Sequence, residues 1–254
     1  MPREEFTEEV IILKIGQLRE IDCWVRFLTP SRGILTAFAF GGYRSKRRFP
    51  GCLDILNQVL FKVVSNPTGK YLYLQEGTLL QRFPGITRSL NRLGMAVNCL
   101  KFIEAAHLGE DDSRAAFYLI LKALQILDSD VFVPAAFPLL FRTRITVEYG
   151  YYPDILNCSL CGKKVKADSG SNFIFILREG RICCGDCFPA ASSTGIRLGA
   201  SSLLGLESII SGLPGSWVDE SVYKKLDKKT MQVMDRFVQY HLGLVWEAGH
   251  FRQV

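Results

Sequence analysis

The sequence predicts an α+β protein: a small N-terminal β-barrel followed by an α-helical domain that carries a four-cysteine insert. Three observations lead there. Residues 10–76 hold short runs of β-branched and aromatic residues between turn signals. After Pro84-Gly85 the apolar residues recur with helical spacing. Two Cys-x-x-Cys pairs, Cys158-Ser-Leu-Cys161 and Cys184-Gly-Asp-Cys187, then bracket a strand-like run from Phe173 to Leu177.

The five strand signals are Val10–Ile15, Trp24–Thr29, Ile34–Phe40, Val59–Val64 and Tyr71–Glu76. Turns at Pro30-Ser-Arg-Gly33 and Asn66-Pro-Thr-Gly69 separate two of the pairs. Five short strands in so short a stretch suit a five-stranded OB-fold barrel, and an SH3-like barrel fits the same pattern. Between the third and fourth strands runs Gly41-Gly-Tyr-Arg-Ser-Lys-Arg-Arg-Phe-Pro-Gly51, a loop opened and closed by glycine. Arg44, Lys46, Arg47 and Arg48 crowd it, flanked by Tyr43 and Phe49. Cations neutralise phosphates and release counterions, while aromatic faces stack on bases of any identity. The loop is therefore a candidate nucleic-acid site; its plain alternative is a solvated basic turn.

Downstream, Leu90, Leu93, Val97, Leu100 and Glu104 mark a helix from about Thr87 to His107. Glu110-Asp-Asp112 reads as a polar loop, with Ser113 capping a second helix that carries Phe117, Ile120, Leu121, Leu124 and Leu127. A third spans about Pro134 to Tyr149, with Phe137, Leu140, Phe141 and Ile145 inward and Arg142 and Arg144 at the surface. The cysteine module covers about 153–189, followed by a flexible Ala190–Gly195 connector. Helices at Ser202–Ser211 and about Lys228–Trp246 complete the chain. The domains are thus 1–83 and 84–254, with the module inserted in the second.

A Cys-x-x-Cys turn sets two thiolates on one side of a tight knuckle, and two knuckles facing each other surround one ion tetrahedrally. Zn²⁺ with Cys158, Cys161, Cys184 and Cys187 fits this arrangement. Four sulfurs leave no position for water, so the metal is structural. A redox motif, disulfides and free buried thiols are the competing readings. Cys183 competes with Cys184 as ligand, but only Cys184 makes the two knuckles alike.

Hydrophobic residues at 48% and charged residues at 22% describe an ordinary globular chain of 254 residues. Cys23, Cys52 and Cys99 lie singly in apolar segments, which indicates a reducing compartment. The acidic N-terminus is no signal peptide, and no apolar run approaches the roughly 20 residues of a membrane span. A cytoplasmic location follows. The net charge of +6 concentrates at the two ends and favours a polyanionic partner. No phosphate-binding Gly-x-x-x-x-Gly-Lys loop and no Gly-x-Ser-x-Gly elbow occurs. His107, His241 and His250 form no ligand pattern, and His241 reads as a packing residue. A binding protein is the expected class, not an enzyme. A zinc-containing nuclease or hydrolase, and an interaction scaffold without DNA contact, are the alternatives.

The order of basic barrel, helical bundle and inserted cysteine module resembles the RecO family of bacterial recombination mediators. The matching residues are Val10-Ile-Ile-Leu13, Glu20-Ile-Asp22, Phe27-Leu-Thr29, Arg32-Gly33, Gly41 and the loop ending at Arg48-Phe49. Phe141 through Gly150-Tyr-Tyr-Pro-Asp154, and Ile182-Cys-Cys-Gly-Asp-Cys187, continue the match. The family commonly has Lys before the loop-entry glycine; here Phe40 stands there, so either DNA affinity is weaker or the load moves to Arg44 and Lys46. Zinc is not universal in the family, so the four cysteines argue for it by themselves. The resemblance implies a non-catalytic, nucleoid-associated protein that binds single- and double-stranded DNA and anneals complementary strands. It also implies association with RecR and help for RecA in displacing single-strand-binding protein. Arg142 or Arg144 above an apolar groove is the expected seat for that protein's acidic tail.

Overall fold

The structure, a computed structural model, describes residues 4–106, 110–166, 172–188 and 195–253. The chain forms two compact units, Met1–Ser129 and Asp130–Val254. The connector expected at Ala190–Gly195 lies, apart from Gly195, outside the described residues, as does His107.

In the first unit the five expected strands are β1 (Glu5–Gln17), β2 (Cys23–Thr29), β3 (Gly33–Ala39), β4 (Gln58–Ser65) and β5 (Leu72–Gln81). Their order is β1-β2-β3-β5-β4, and β1 also pairs with β4, closing a barrel. The ring closes because β1 is long. Its first half, Glu5–Ile11, pairs with β4, and its second half, Ile11–Gln17, pairs with β2. A register shift between Ile12 and Lys14 lets the strand bend from one partner to the other. Only β3 and β5 run parallel, through Ala37–Leu72 and Phe38–Tyr73. Alternation puts Val10, Ile12, Val25, Phe27, Ala37, Val59, Phe61 and Val63 inside.

Three helices belong to the same unit: α1 (Pro84–Thr87), α2 (Leu90–Ala105) and α3 (Glu110–Asp128). Ser89 caps α2 by accepting the Arg92 N–H. Arg26 of β2 pairs with Glu104 of α2 at 3.1 Å, and the Ser113 hydroxyl donates to the Pro30 carbonyl at 3.1 Å. Both contacts tie the helices to the barrel wall. Ser113 is therefore an interior tether, not a cap, and Glu110-Asp-Asp112 belongs to the helix instead of a loop. The stripe on α2 also differs from expectation. Leu90 is 88% exposed, while Met95, Ala96, Cys99, Leu100, Phe102 and Ile103 are buried.

The second unit begins with α4 (Phe137–Glu148), where Pro138 sits in the first turn and breaks no hydrogen bond. A four-stranded sheet follows, ordered β6 (Asp154–Cys158), β8 (Arg181–Cys184), β7 (Asn172–Ile176), β9 (Gly195–Gly199). Phe173, Phe175, Ile182 and Leu198 share its buried face, and Phe175 meets Phe237 edge-on with centroids 6.2 Å apart. Helices α5 (Ala200–Ser211), α6 (Glu220–Tyr223) and α7 (Lys228–Leu242) complete the layer. The last helix stops earlier than expected, at Gly243 with φ 63°. Trp246 then lies in a hairpin of β10 (Leu244–Glu247) and β11 (His250–Gln253). His241 packs between Tyr151 and Phe237, at 4.6 and 4.5 Å. Among the described residues no helix is long and apolar enough to cross a membrane.

Candidate nucleic-acid interface and metal centre

The basic loop leaves β3 through Gly41 and closes at Gly51, with φ of 62° and 67° that L-side chains rarely adopt. It is held at both ends. The Gly41 N–H donates to the Asp22 carboxylate at 2.6 Å, and the Tyr43 N–H to the Ile21 carbonyl at 3.2 Å. At the exit, the Gly77 N–H of β5 donates to the Arg48 carbonyl at 2.8 Å. Arg82 and Asn57 each donate to the Gly51 carbonyl at 3.0 Å. The fixed base leaves Tyr43, Arg44, Lys46, Arg47 and Arg48 exposed. Arg48 also braces the loop, since its guanidinium donates to the Phe40 carbonyl and lies 5.2 Å from the Phe49 ring.

Phe49 departs from expectation. It is 4% exposed, belongs to the barrel core and meets Phe61 edge-on at 6.4 Å. A base cannot stack on it without unseating the loop, so Tyr43, 52% exposed, is the loop's available ring. Beneath Tyr43 and Lys46 opens a cleft of about 440 Å³, lined also by Ser45, Leu53, Asp54 and Arg82. No pattern in the sequence singles out Arg82. It stands alone at the end of β5, and only the fold brings it to the loop.

Cys158, Cys161, Cys184 and Cys187 come together, with all four Sγ atoms within 4.8 Å of one another. The knuckles match: Gly162 N–H donates to the Cys158 carbonyl at 2.9 Å, and Phe188 N–H to the Cys184 carbonyl at 3.1 Å. Gly162 takes φ 72°; Gly185 needs no such conformation. Cys161 and Cys184 Sγ are 3.7 Å apart. Tetrahedral sulfurs at about 2.3 Å from zinc stand about 3.8 Å from each other. Cys183 points elsewhere, its Sγ 3.2 Å from the Ser159 hydroxyl, because adjacent strand residues face opposite ways.

The thiol protonation also fits a cation. Burial raises Cys158, but N–H groups of Cys184, Cys161 and Leu160 outweigh it and hold the thiol at about 6. Cys187 is pushed up to about 12, chiefly through its hydrogen bonds with Cys184 and Cys161. Four neighbouring thiols cannot all ionise unaided, and a divalent cation at their centre removes that conflict. The donor set is therefore compatible with a metal site. Nearby, Lys163, Lys164 and Arg197 are exposed, and Lys163 reaches Asp186 at 3.4 Å.

Arg142 and Arg144 are not the surface cations expected. Their side chains are 11% and 17% exposed. Arg142 pairs with Asp235 of α7 at 3.2 Å, and Arg144 pairs with Glu148 at 2.6 Å while donating to the Gly212 carbonyl at 3.3 Å. Both pairs stitch the helical layer together.

Comparison with known proteins adds a sequence-wide finding. The family model described as recombination protein O N terminal matches residues 1–83, and that described as recombination protein O C terminal matches residues 87–247. The chain is 42% identical over 253 residues to the DNA repair protein RecO of Maridesulfovibrio salexigens, covering 98% of this chain and 100% of that one. It is 42% identical over 250 residues to the RecO of Oleidesulfovibrio alaskensis, with the same coverage, and 34% identical over 253 residues to that of Lawsonia intracellularis.

Proposed function

We propose, on the premise that this chain belongs to the RecO family of DNA repair proteins, that it is a DNA-binding mediator of recombinational repair. It holds single- and double-stranded DNA, promotes annealing, and works with RecR to help RecA load onto DNA coated by single-strand-binding protein. The observation that carries this reading is the exposed cation loop fixed at both ends to the barrel. The barrel is read as an OB-fold, from its order β1-β2-β3-β5-β4 and its parallel β3–β5 pair. Residues 1–83 form the nucleic-acid-binding domain, and 84–254 carry the zinc module. The ion is structural Zn²⁺ on Cys158, Cys161, Cys184 and Cys187, and the protein acts without a catalytic site of its own in the cytoplasm. Annealing requires two polyanions held against their repulsion, and the loop and the lysines beside the knuckles supply two separate cation clusters.

The test spares Arg48, since its guanidinium braces Phe40. The full-length triple variant Arg44→Ala, Lys46→Ala, Arg47→Ala is titrated with mixed-sequence single-stranded DNA at several salt concentrations. Each lost phosphate contact lowers the slope of log K against log salt by ~0.7, so the slope should flatten by about 2. Equal slopes for variant and parent would exclude the loop from the interface.

A further inference from the structure

The outer wall of the barrel carries aromatic rings where alternation calls for polar side chains. Trp24 on β2 pairs with Phe38 on β3, and Phe38 pairs in turn with Tyr73 on β5. Directly paired residues share a face, so the three side chains cross the sheet in one line. Phe40 stacks on Tyr73 with centroids 5.6 Å apart and planes 29° from parallel, and on Phe38 at 6.4 Å and 15°. Tyr71 meets Phe38 edge-on at 6.1 Å. On β1, the position opposite Trp24 is Gly16, where a Cβ would come within 2.1 Å of the indole. The glycine lets the indole lie across β1 and extends the stripe over four strands. Phe40 is 48% exposed and Tyr71 43%.

Cations border the rings. Lys14 lies 5.8 Å from the Trp24 ring, Lys70 lies 5.4 Å from Tyr71, and the Arg48 guanidinium bonds the Phe40 carbonyl. Asp22, before β2, accepts the Gly41 N–H at the loop entrance. A row of rings, Phe40 and Tyr71 exposed and Trp24, Phe38 and Tyr73 half-buried, edged by positive charge, matches unpaired bases on a phosphate backbone. A duplex keeps its base faces stacked inside and offers such a row only its phosphates. We propose that the stripe of Trp24, Phe38, Phe40, Tyr71 and Tyr73 is a base-stacking platform that makes this protein prefer single strands. The basic loop, by contrast, grips phosphates of either form. This inference rests on the DNA-binding reading above and assigns the strand preference to particular residues.

The experiment uses the full chain with Trp246→Phe, which leaves Trp24 and the fully buried Trp217 as fluorophores. A dT oligonucleotide and a blunt mixed-sequence duplex are titrated at the same salt concentration. The dT strand is expected to quench Trp24, and the duplex to leave it bright. Adding Phe40→Ala with Tyr73→Ala should weaken dT binding by about tenfold or more, as stacking on two rings predicts, with duplex affinity changed by less than about twofold. Tyr73→Phe, which keeps the ring, should restore dT binding. An equal loss for strand and duplex, or dT binding without quenching and without loss in the double variant, overturns the platform while leaving the DNA-binding reading intact. Failure of the parent chain to bind either probe overturns both.

Discussion

Replacing Cys184 with serine is expected to strip the metal and cost the Asp130–Val254 unit much of its stability, while replacing the adjacent Cys183 should do neither. The two residues are neighbours in sequence and both are buried. Only Cys184 Sγ lies in the four-sulfur cluster; Cys183 Sγ faces Ser159. The cluster joins two segments about twenty residues apart, and a structural zinc in small domains supplies on the order of 10 kcal/mol of apparent folding free energy. Metal content should fall from one per chain to near zero in Cys184→Ser, with a large drop in melting temperature. Cys183→Ser should keep its ion and melt close to the parent. The cobalt-substituted parent should show the absorption of four thiolates; a spectrum with nitrogen or oxygen donors would instead favour a catalytic centre. Acid should mimic the mutation. The Cys158 thiolate is stabilised relative to a free thiol near 9.0, so its contribution is present above that value and is lost as pH falls through about 6. Because the sulfurs must be deprotonated to hold a cation, the metal should be released as the pH falls. Retention of melting temperature in metal-free Cys184→Ser would disprove a structural role for the ion.

What could be read from the chain depended on how local the determining interaction was. The five barrel strands were legible because their alternation and their Gly and Pro turns are written in neighbouring residues. The knuckles were legible because two thiols on one turn are a short-range pattern, and strand alternation then chose Cys184 over Cys183. The hairpin of β10 and β11 was not. Its turn is Ala248-Gly249, with φ of 48° and 82°, and lacks the Asn-Gly or Asp-Gly signature. Apolar residues at Leu244 and Trp246 prolonged the α7 pattern past its true stop at Gly243. Leu90 looked like the start of a buried stripe, but it occupies the first turn of α2, and the core contact begins at Met95. The charged residues failed for a tertiary reason. A helical wheel places Arg142 off the apolar stripe of α4, yet Asp235 arrives on α7 from 93 positions away and takes its charge. The aromatic wall was hidden for the same reason: Trp24, Phe38 and Tyr73 become one surface only once β3 and β5 run side by side.

Truncating Phe49 is expected to separate anchoring from base recognition. Its position beside four cations suggests a stacking ring, whereas its side chain fills the barrel between Phe61 and the loop's return to Cys52. Cys52 itself is pinned, its Sγ 3.2 Å from the Gly77 carbonyl, so the site has little freedom to collapse around a void. Phe49→Ala should destabilise the first unit by about 3–5 kcal/mol, as for other buried Phe truncations. That corresponds to a fall on the order of 10 °C or more in its melting temperature. DNA affinity should fall with it, because Arg48 and the cations before it lose their seat. Phe49→Leu decides between the roles. Leucine refills most of the volume but offers no π-face, so an anchor predicts near-parental DNA affinity with a modest stability loss. A stacking residue predicts the reverse: parental melting and weakened binding to single strands. Thermal unfolding and dT titration of these two variants measure both quantities, and the buried position of the ring requires the first pattern.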